Sequence, residues 1–332
     1  MSLRGTYYHA ISGLTGILGY RGAELLAGVL ATARYSGNRK MNSVYLGHLS
    51  RVFPEKSGTQ LRSMLKGYWR IHQRALLGLF YSDRLNRENV SGMVSWENRD
   101  VLDEAVQEGK GVLLLVPHFG DERTLHILLA ITGYTMHVIS SRYADAPDIL
   151  KRARLDVSRR WHHVAFPDEP LRWAYDAIDR GEIIQISPTG WGGPKGHWVK
   201  SFGVPVLASS TPVRLAKSTG CRLLIVYNRT LRGMKSHITF QRFDPESLDI
   251  SGTGQLFARF ESIAKQYPEQ YNWMNLVIRH RETNTIARLG NIPKNESAVE
   301  MAAVHADWDP ANIQKFQTVS SISASPGSAP AE

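Results

Sequence analysis

The sequence predicts an α/β protein, a mostly parallel central sheet covered by helices on both faces and preceded by an N-terminal helical segment. Three observations carry that expectation. From residue 98 onward, short apolar runs alternate with amphipathic stretches of helical length, joined by short links. The runs "GVLLLVP", "EIIQIS" and "CRLLIVYNR" are nearly continuous in Val, Ile and Leu, as strands covered on both faces are. Glycine follows the helical stretches at their ends, as in "NRDVLDEAVQEGKG" and "DERTLHILLAITG".

Taken in order, residues 6–35 and 41–82 read as helices. In "SGTQLRSMLKGYWRIHQRALLGLFY" the apolar Leu61, Met64, Leu65, Tyr68, Ile71 and Leu76 recur at helical spacing, and Ser57 is a cap candidate. Arg62, Lys66, Arg70 and Arg74 are four apart and form one basic stripe, ordinarily a solvated face. Beyond residue 98 the expected series is helix, the strand "GVLLLVP", helix, the strand "YTMHVISS", and the helices "DILKRARLDVSRRW" and "EPLRWAYDAIDRG". The strand "EIIQIS", a Gly-rich loop, the helix "STPVRLAKSTG" and the strands "CRLLIVYNR" and "HITFQRF" follow, then a long helix in "GTGQLFARFESIAKQYPEQY". The expected organisation is an N-terminal helical segment over 1–97, an α/β core over 98–284, and a C-terminal extension over 285–332. The last of these ends in the low-complexity "SSISASPGSAPAE", which predicts disorder.

A chain of 332 residues with 42% hydrophobic and 21% charged residues has ample core and is not a disordered protein. Its single cysteine, Cys221, excludes an internal disulfide framework and any multi-cysteine metal site, and fits a reducing compartment. The net charge of +10 favours anionic partners: a membrane surface, phosphorylated donors or nucleic acid. No signal-peptide layout opens the chain. The uncharged stretch "YYHAISGLTGILGY" stops at Arg21, short of a membrane span, and suits an interfacial or core-packing helix. These features place the protein in the cytoplasm, with a peripheral position on the inner membrane face as the alternative.

The chemistry centres on "VPHFGDER", where His118 follows a buried strand and Gly120 permits a tight entry into the next helix. Ligands of an open parallel sheet sit outside the carboxyl ends of its strands, which is where His118 falls. Asp121 or Glu122 begins the helix, within reach of the imidazole. Either carboxylate can hold one tautomer and leave the other nitrogen as a general base for a substrate hydroxyl or amine. A histidine at such a point also serves commonly as a plain hydrogen-bonding residue. A metal reading from His118, Glu122 and His126 is set aside, because the strand-to-helix break spoils a common face and no second ligand cluster appears. Neither metal nor cofactor is expected.

The segment "GKGVLLLVPHFGDER" resembles a block of the bacterial lipid A biosynthesis acyltransferases, in which a strand ends in His-x-Gly and an acidic residue follows after four intervening positions. Three further segments resemble that family in the right order: "NSVYLGHLSRVFPEKS", "WVKSFGVPVLASSTPVRLAKSTGCRLLIV" and "YPEQYNWMNLVIRHR". The resemblance covers roughly residues 41–284. It implies a glycerol-3-phosphate acyltransferase-like fold and transfer of an acyl group from an acyl carrier protein or coenzyme A thioester, with His118 as base and an acidic residue orienting it. Two departures stand out. The family's acid falls on position 123, which is Arg123 here, and an Asp-rich segment is replaced by Pro188, Thr189 and Gly190.

Two segments are candidates for substrate contact. "TGWGGPKGHWVKSFG" combines glycines with Trp191 and Lys200, a composition that can offer backbone N–H groups and charge to phosphate but is also common in surface loops. Residues 151–163, with Arg159 and Arg160, are the densest positive stretch; as a helix they would dock an acidic carrier protein, anionic lipid or RNA, or face solvent. Arg123 and Gly120 complete the expected donor and acceptor contacts. Three functions follow. The first is acyl transfer to a hydroxyl or amine at a membrane. The second is a cytosolic transferase of specialised metabolism using a carrier-protein- or tRNA-borne donor such as aminoacyl-tRNA. The third is a non-catalytic binder of anionic lipid or nucleic acid.

Overall fold

The computed structural model describes residues 3–81, 85–141, 161–166, 172–189, 196–273, 277–279 and 286–288. Three helices open the chain: α1 (Leu3–Gly37), α2 (Arg39–Val52) and α3 (Gly58–Tyr81). The expected single helix over 41–82 is therefore two. Pro54 ends the first by denying it a backbone N–H, and Ser57 begins the second. Ser57 and Gln60 form a reciprocal cap, the Gln60 N–H donating to Ser57 Oγ at 3.3 Å and the Ser57 N–H to Gln60 Oε1 at 2.8 Å.

The core sheet is α/β as expected. Its strands are β1 (Val94–Glu97), β2 (Val112–Leu115), β3 (Met136–Ser141), β4 (Trp161–Phe166), β5 (Ile183–Ile186), β8 (Arg222–Thr230) and β9 (Ser236–Arg242), in the order β1-β9-β8-β2-β5-β3-β4. The strands β8, β2, β5, β3 and β4 run parallel, while β9 is antiparallel to β8 and pairs in parallel with β1. The helices α4 (Arg99–Gln107), α5 (Glu122–Ile131), α6 (Arg172–Asp179), α7 (Thr211–Thr219) and α8 (Ile250–Gln266) complete the alternation. The hairpin β6 (Gly196–Ser201) with β7 (Val204–Ser209) packs on α8, and a short antiparallel pair, β10 (Val277–Arg279) with β11 (Ile286–Arg288), lies beyond it in sequence. Two strands of the seven-stranded sheet escape the sequence reading. "VSWE" is only four residues long, and "WHHVAF" begins inside the segment expected to be helical, its histidines masking the strand pattern.

Every residue of β2 is buried, which explains the unbroken apolar run: its alternate side chains feed the two core clusters on opposite faces. From β2 the chain winds outward to β3 and β4, returns to β5 beside β2, then crosses to β8 on the other flank. The reversal puts a crevice at the carboxyl ends of β5, β2 and β8.

α1 packs on α3 through Ala23 and Ala27, whose small side chains allow close approach, and it bends at Gly19, whose φ of 62° leaves the helical range. This packing corrects one expectation. Arg62, Lys66 and Arg70 are exposed, but Arg74 is buried under α1, where its guanidinium grips both carboxylate oxygens of Glu24. The expected basic helix over 148–161 lies outside the described residues except for Trp161, which opens β4, and the C-terminal extension beyond residue 288 lies outside them entirely.

Candidate active site

The site is built where β2 gives way to α5. The Val116 N–H still donates to Ile186 O at 2.9 Å, so the sheet holds the chain up to Pro117. Pro117 and His118 leave the sheet, and the backbone turns at Gly120 with φ of 55°. Only glycine fits there. A Cβ would stand 1.8 Å from Asn228 O on β8, so the left-handed φ and the close backbone approach demand the same residue. Helix α5 then starts at Glu122, with Asp121 at its N-cap.

That turn brings His118 and Glu122 together. His118 Nδ1 lies 2.7 Å from Glu122 Oε1 and 2.6 Å from Oε2, a charge-assisted contact that fixes the ring plane and puts a proton on Nδ1. The other nitrogen, Nε2, is 3.0 Å from the carbonyl oxygen of Thr189 and 3.4 Å from Ser187 Oγ, both on the segment leaving β5. Both ring nitrogens therefore face oxygen atoms.

The turn is braced from β8 and from the segment after α8. The Gly120 N–H donates to Gln270 O at 2.7 Å, and the Asn272 N–H to His118 O at 2.8 Å. The Gln270 side chain also pairs with the backbone of Thr230 at the end of β8, accepting at 3.1 Å and donating at 3.0 Å. Fully buried Asn228 donates from Nδ2 to Asp121 O at 2.8 Å, tying the start of α5 to β8. Tyr271 is buried beside Phe119, and burial, with the Glu122 and Glu261 carboxylates nearby, pushes its hydroxyl far above the ordinary tyrosine range.

Four sequence blocks converge here. The ring of Tyr271 lies 4.9 Å from Trp273 and 5.3 Å from Phe202, while Trp273 also meets His48 at 5.5 Å and Phe53 at 6.1 Å. Phe202 and Gly203, at φ of 52° and 76°, form the two-residue turn of the β6–β7 hairpin, which drives Phe202 into this cluster. So "HLSRVFP", "KSFGVP" and "YPEQYNW" are the parts of an aromatic buttress behind "PHFGDE".

The remaining candidates fall as follows. Asp121 is buried at the N-cap, and its Oδ2 lies 3.3 Å from where a Gly78 Cβ would stand, on the α3 side. The Gly120 N–H is committed to Gln270. Arg123 belongs to α5, though its side chain lies outside the description. Lys200 is exposed on β6. Trp191, Arg159 and Arg160 lie outside the described residues. Ser187, Asn228, Gln270 and Asn272 were not singled out by sequence reasoning, and Thr189 was named only within a departure from the family pattern; the signal that could have found them was the break after the strand "EIIQI" and the polar run "EQYN". Among the described residues, no group of three or more His, Cys, Asp or Glu side chains is placed to hold a metal ion.

Fold and site together define an α/β protein with a carboxylate-oriented histidine at the carboxyl end of its central strand. Residues 7–278 match the family model described as bacterial lipid A biosynthesis acyltransferase. The chain belongs to that family, a family of acyltransferases. No curated protein matches it.

Proposed function

We propose that the protein transfers an acyl group from a thioester on an acyl carrier protein or coenzyme A to a hydroxyl or amine acceptor, at or near a lipid surface, with His118 as general base. One observation carries the reading: the contact between His118 Nδ1 and Glu122, which leaves Nε2 facing the crevice end of β5. His118 Nε2 takes the acceptor proton as the acceptor oxygen or nitrogen attacks the thioester carbonyl. The C–S bond breaks as the tetrahedral intermediate collapses, and the imidazolium returns the proton to the departing thiolate, closing the proton balance. Glu122 stabilises the ring while it is charged and holds its plane between the two transfers.

Glu122 takes the role that the family gives to the residue after it, since a turn placed one residue tighter still delivers a carboxylate to Nδ1. The same departure, with Arg123 in the family's acidic position, favours a second reading in which the scaffold serves an altered donor or acceptor, including a small polar acceptor and a carrier- or tRNA-borne donor. Incubating the full chain with pools of acylated acyl carrier protein, acyl-coenzyme A and aminoacyl-tRNA, and reading the products by mass spectrometry, tests both. Consumption of an acyl thioester supports the first reading, consumption of aminoacyl-tRNA the second. No transfer from any donor pool to hydroxyl or amine acceptors contradicts both.

A further inference from the structure

Ser187 shares the crevice with His118, and the reaction assigned above gives its hydroxyl no part. It is the first residue beyond β5, and three bonds fix the chain around it. The Val116 N–H donates to Ile186 O at 2.9 Å, the Ser187 hydroxyl donates to Val116 O at 2.8 Å, and the Ser209 N–H donates to Pro188 O at 3.1 Å. The strand before it is buried, as are Pro188 and Thr189 after it, while Ser187 stays half-buried. A hydroxyl is thus held in a set place and left open to the crevice.

Ser187 Oγ lies 3.4 Å from His118 Nε2, and Glu122 holds the opposite nitrogen of that ring at 2.6 Å. The order Ser187, His118, Glu122 is that of a hydroxyl nucleophile, its base and the acid that orients the base. The proton inventory favours the same order. With the Glu122 carboxylate accepting at Nδ1, a neutral ring presents a lone pair at Nε2. Two oxygens face that lone pair, the Thr189 carbonyl at 3.0 Å and the Ser187 hydroxyl at 3.4 Å. The carbonyl has no proton to give; the hydroxyl has one. Turning the Ser187 O–H about its Cβ–Oγ bond, from Val116 O to Nε2, moves no heavy atom. Separations of this kind are common between nucleophile and base before substrate tightens them.

We propose that Ser187 is an internal acyl acceptor. With no outside acceptor in place, its Oγ takes the acyl group from the thioester donor and holds it as an ester until an acceptor arrives. The inference rests on the acyl-transfer reading and adds a covalent route to it. In the first step Ser187 Oγ attacks the thioester carbonyl while His118 Nε2 takes the hydroxyl proton. A C–O bond forms, the C–S bond breaks, and the imidazolium returns the proton to the departing thiolate. In the second step the acceptor hydroxyl or amine attacks the ester carbonyl and gives its proton to Nε2. The bond to Ser187 Oγ breaks, and the same proton passes to Oγ, restoring the free serine. The sum equals direct transfer, and no further reactant enters.

The test is intact-mass analysis of the full chain, acid-quenched after mixing with pools of acylated acyl carrier protein and acyl-coenzyme A, acceptors withheld. Wild type is expected to gain the mass of a single acyl group, and peptide mapping to place it on Ser187. Adding hydroxyl and amine acceptors afterwards should discharge it. Ser187→Ala, shown to be folded by a thermal melt, should lose the adduct, and so should His118→Ala. Ser187→Cys keeps a nucleophile at the same point and should carry the group as a thioester, which neutral hydroxylamine cleaves while the serine ester survives. Three results would overturn the proposal and leave the acyl-transfer reading in place. They are transfer to outside acceptors by a wild type that never shows the adduct, an adduct that persists in Ser187→Ala, and one that acceptors do not discharge. A wild type that neither transfers nor becomes acylated removes both.

Discussion

At the scale of single residues, the structure separates two carboxylates that are neighbours in sequence. Glu122 reaches His118 Nδ1, while Asp121, one position earlier, turns its carboxylate toward α3. The substitution Glu122→Gln should therefore lower kcat at least about tenfold by losing the charge that stabilises the imidazolium. Asp121→Asn should keep kcat within about threefold and cost stability of about 0.3–1 kcal/mol through the lost charge at the start of α5. Steady-state kinetics and a denaturant titration of both variants check the split. Equal kinetic effects would mean that Glu122 does not orient the ring. The choice between these two acids was not legible in the sequence, because it depends on how tightly the backbone turns at Gly120. That turn is set by Asn228 O and Gln270 O, more than 100 residues away in the chain.

Among the elements, the turn between β2 and α5 owes its shape to partners from β8 and from the segment after α8. Gly120→Ala is expected to destabilise by more than about 2 kcal/mol, combining a strained φ with a backbone clash, and to reduce activity through displacement of His118. Gly254, inside α8, is the contrast: a Cβ there meets nothing within 4 Å, so Gly254→Ala should stabilise by about 0.5–1 kcal/mol. Thermal and denaturant midpoints of the two variants should move in opposite directions. Strong apolar runs made the central strands readable from the sequence, and β2, β5 and β8 stand where expected. The hairpin β6–β7 was hidden in a glycine-rich, basic stretch. Its turn is built by Phe202 and Gly203, and nothing local reveals that Phe202 belongs to an aromatic cluster with Tyr271 and Trp273.

Over the whole molecule, several carboxylates are held ionised. The Arg180 hydrogen bond comes first among the causes that hold Glu182 below the usual carboxylate range, with His137 adding to it. For Glu24, burial alone would raise the pKa, but the Arg74 and Gly233 hydrogen bonds outweigh it and lower it. A carboxylate whose folded pKa lies below its unfolded value adds stability that is fully present above the unfolded value, about 4.3. That contribution disappears as pH falls through the lower, folded pKa. The melting temperature should thus be steady near neutrality and fall as pH drops below about 4, and Glu24→Gln should flatten part of that acid limb. An acid limb identical in wild type and variant would remove Glu24 from the account. The basic total was plain from composition. That Arg74 leaves the solvated stripe to be buried against Glu24 became visible only once α1 was seen to bury its alanines against α3.

The central claim is that His118 is the base of an acyl transfer. Its most direct test is the single-turnover rate of the His118→Ala variant with the donor identified by mass spectrometry, measured beside a thermal melt to establish that the variant is folded. A drop of about 10²–10⁴-fold in rate with an unchanged melting temperature is the predicted result. A folded variant that transfers the acyl group at the wild-type rate would contradict it.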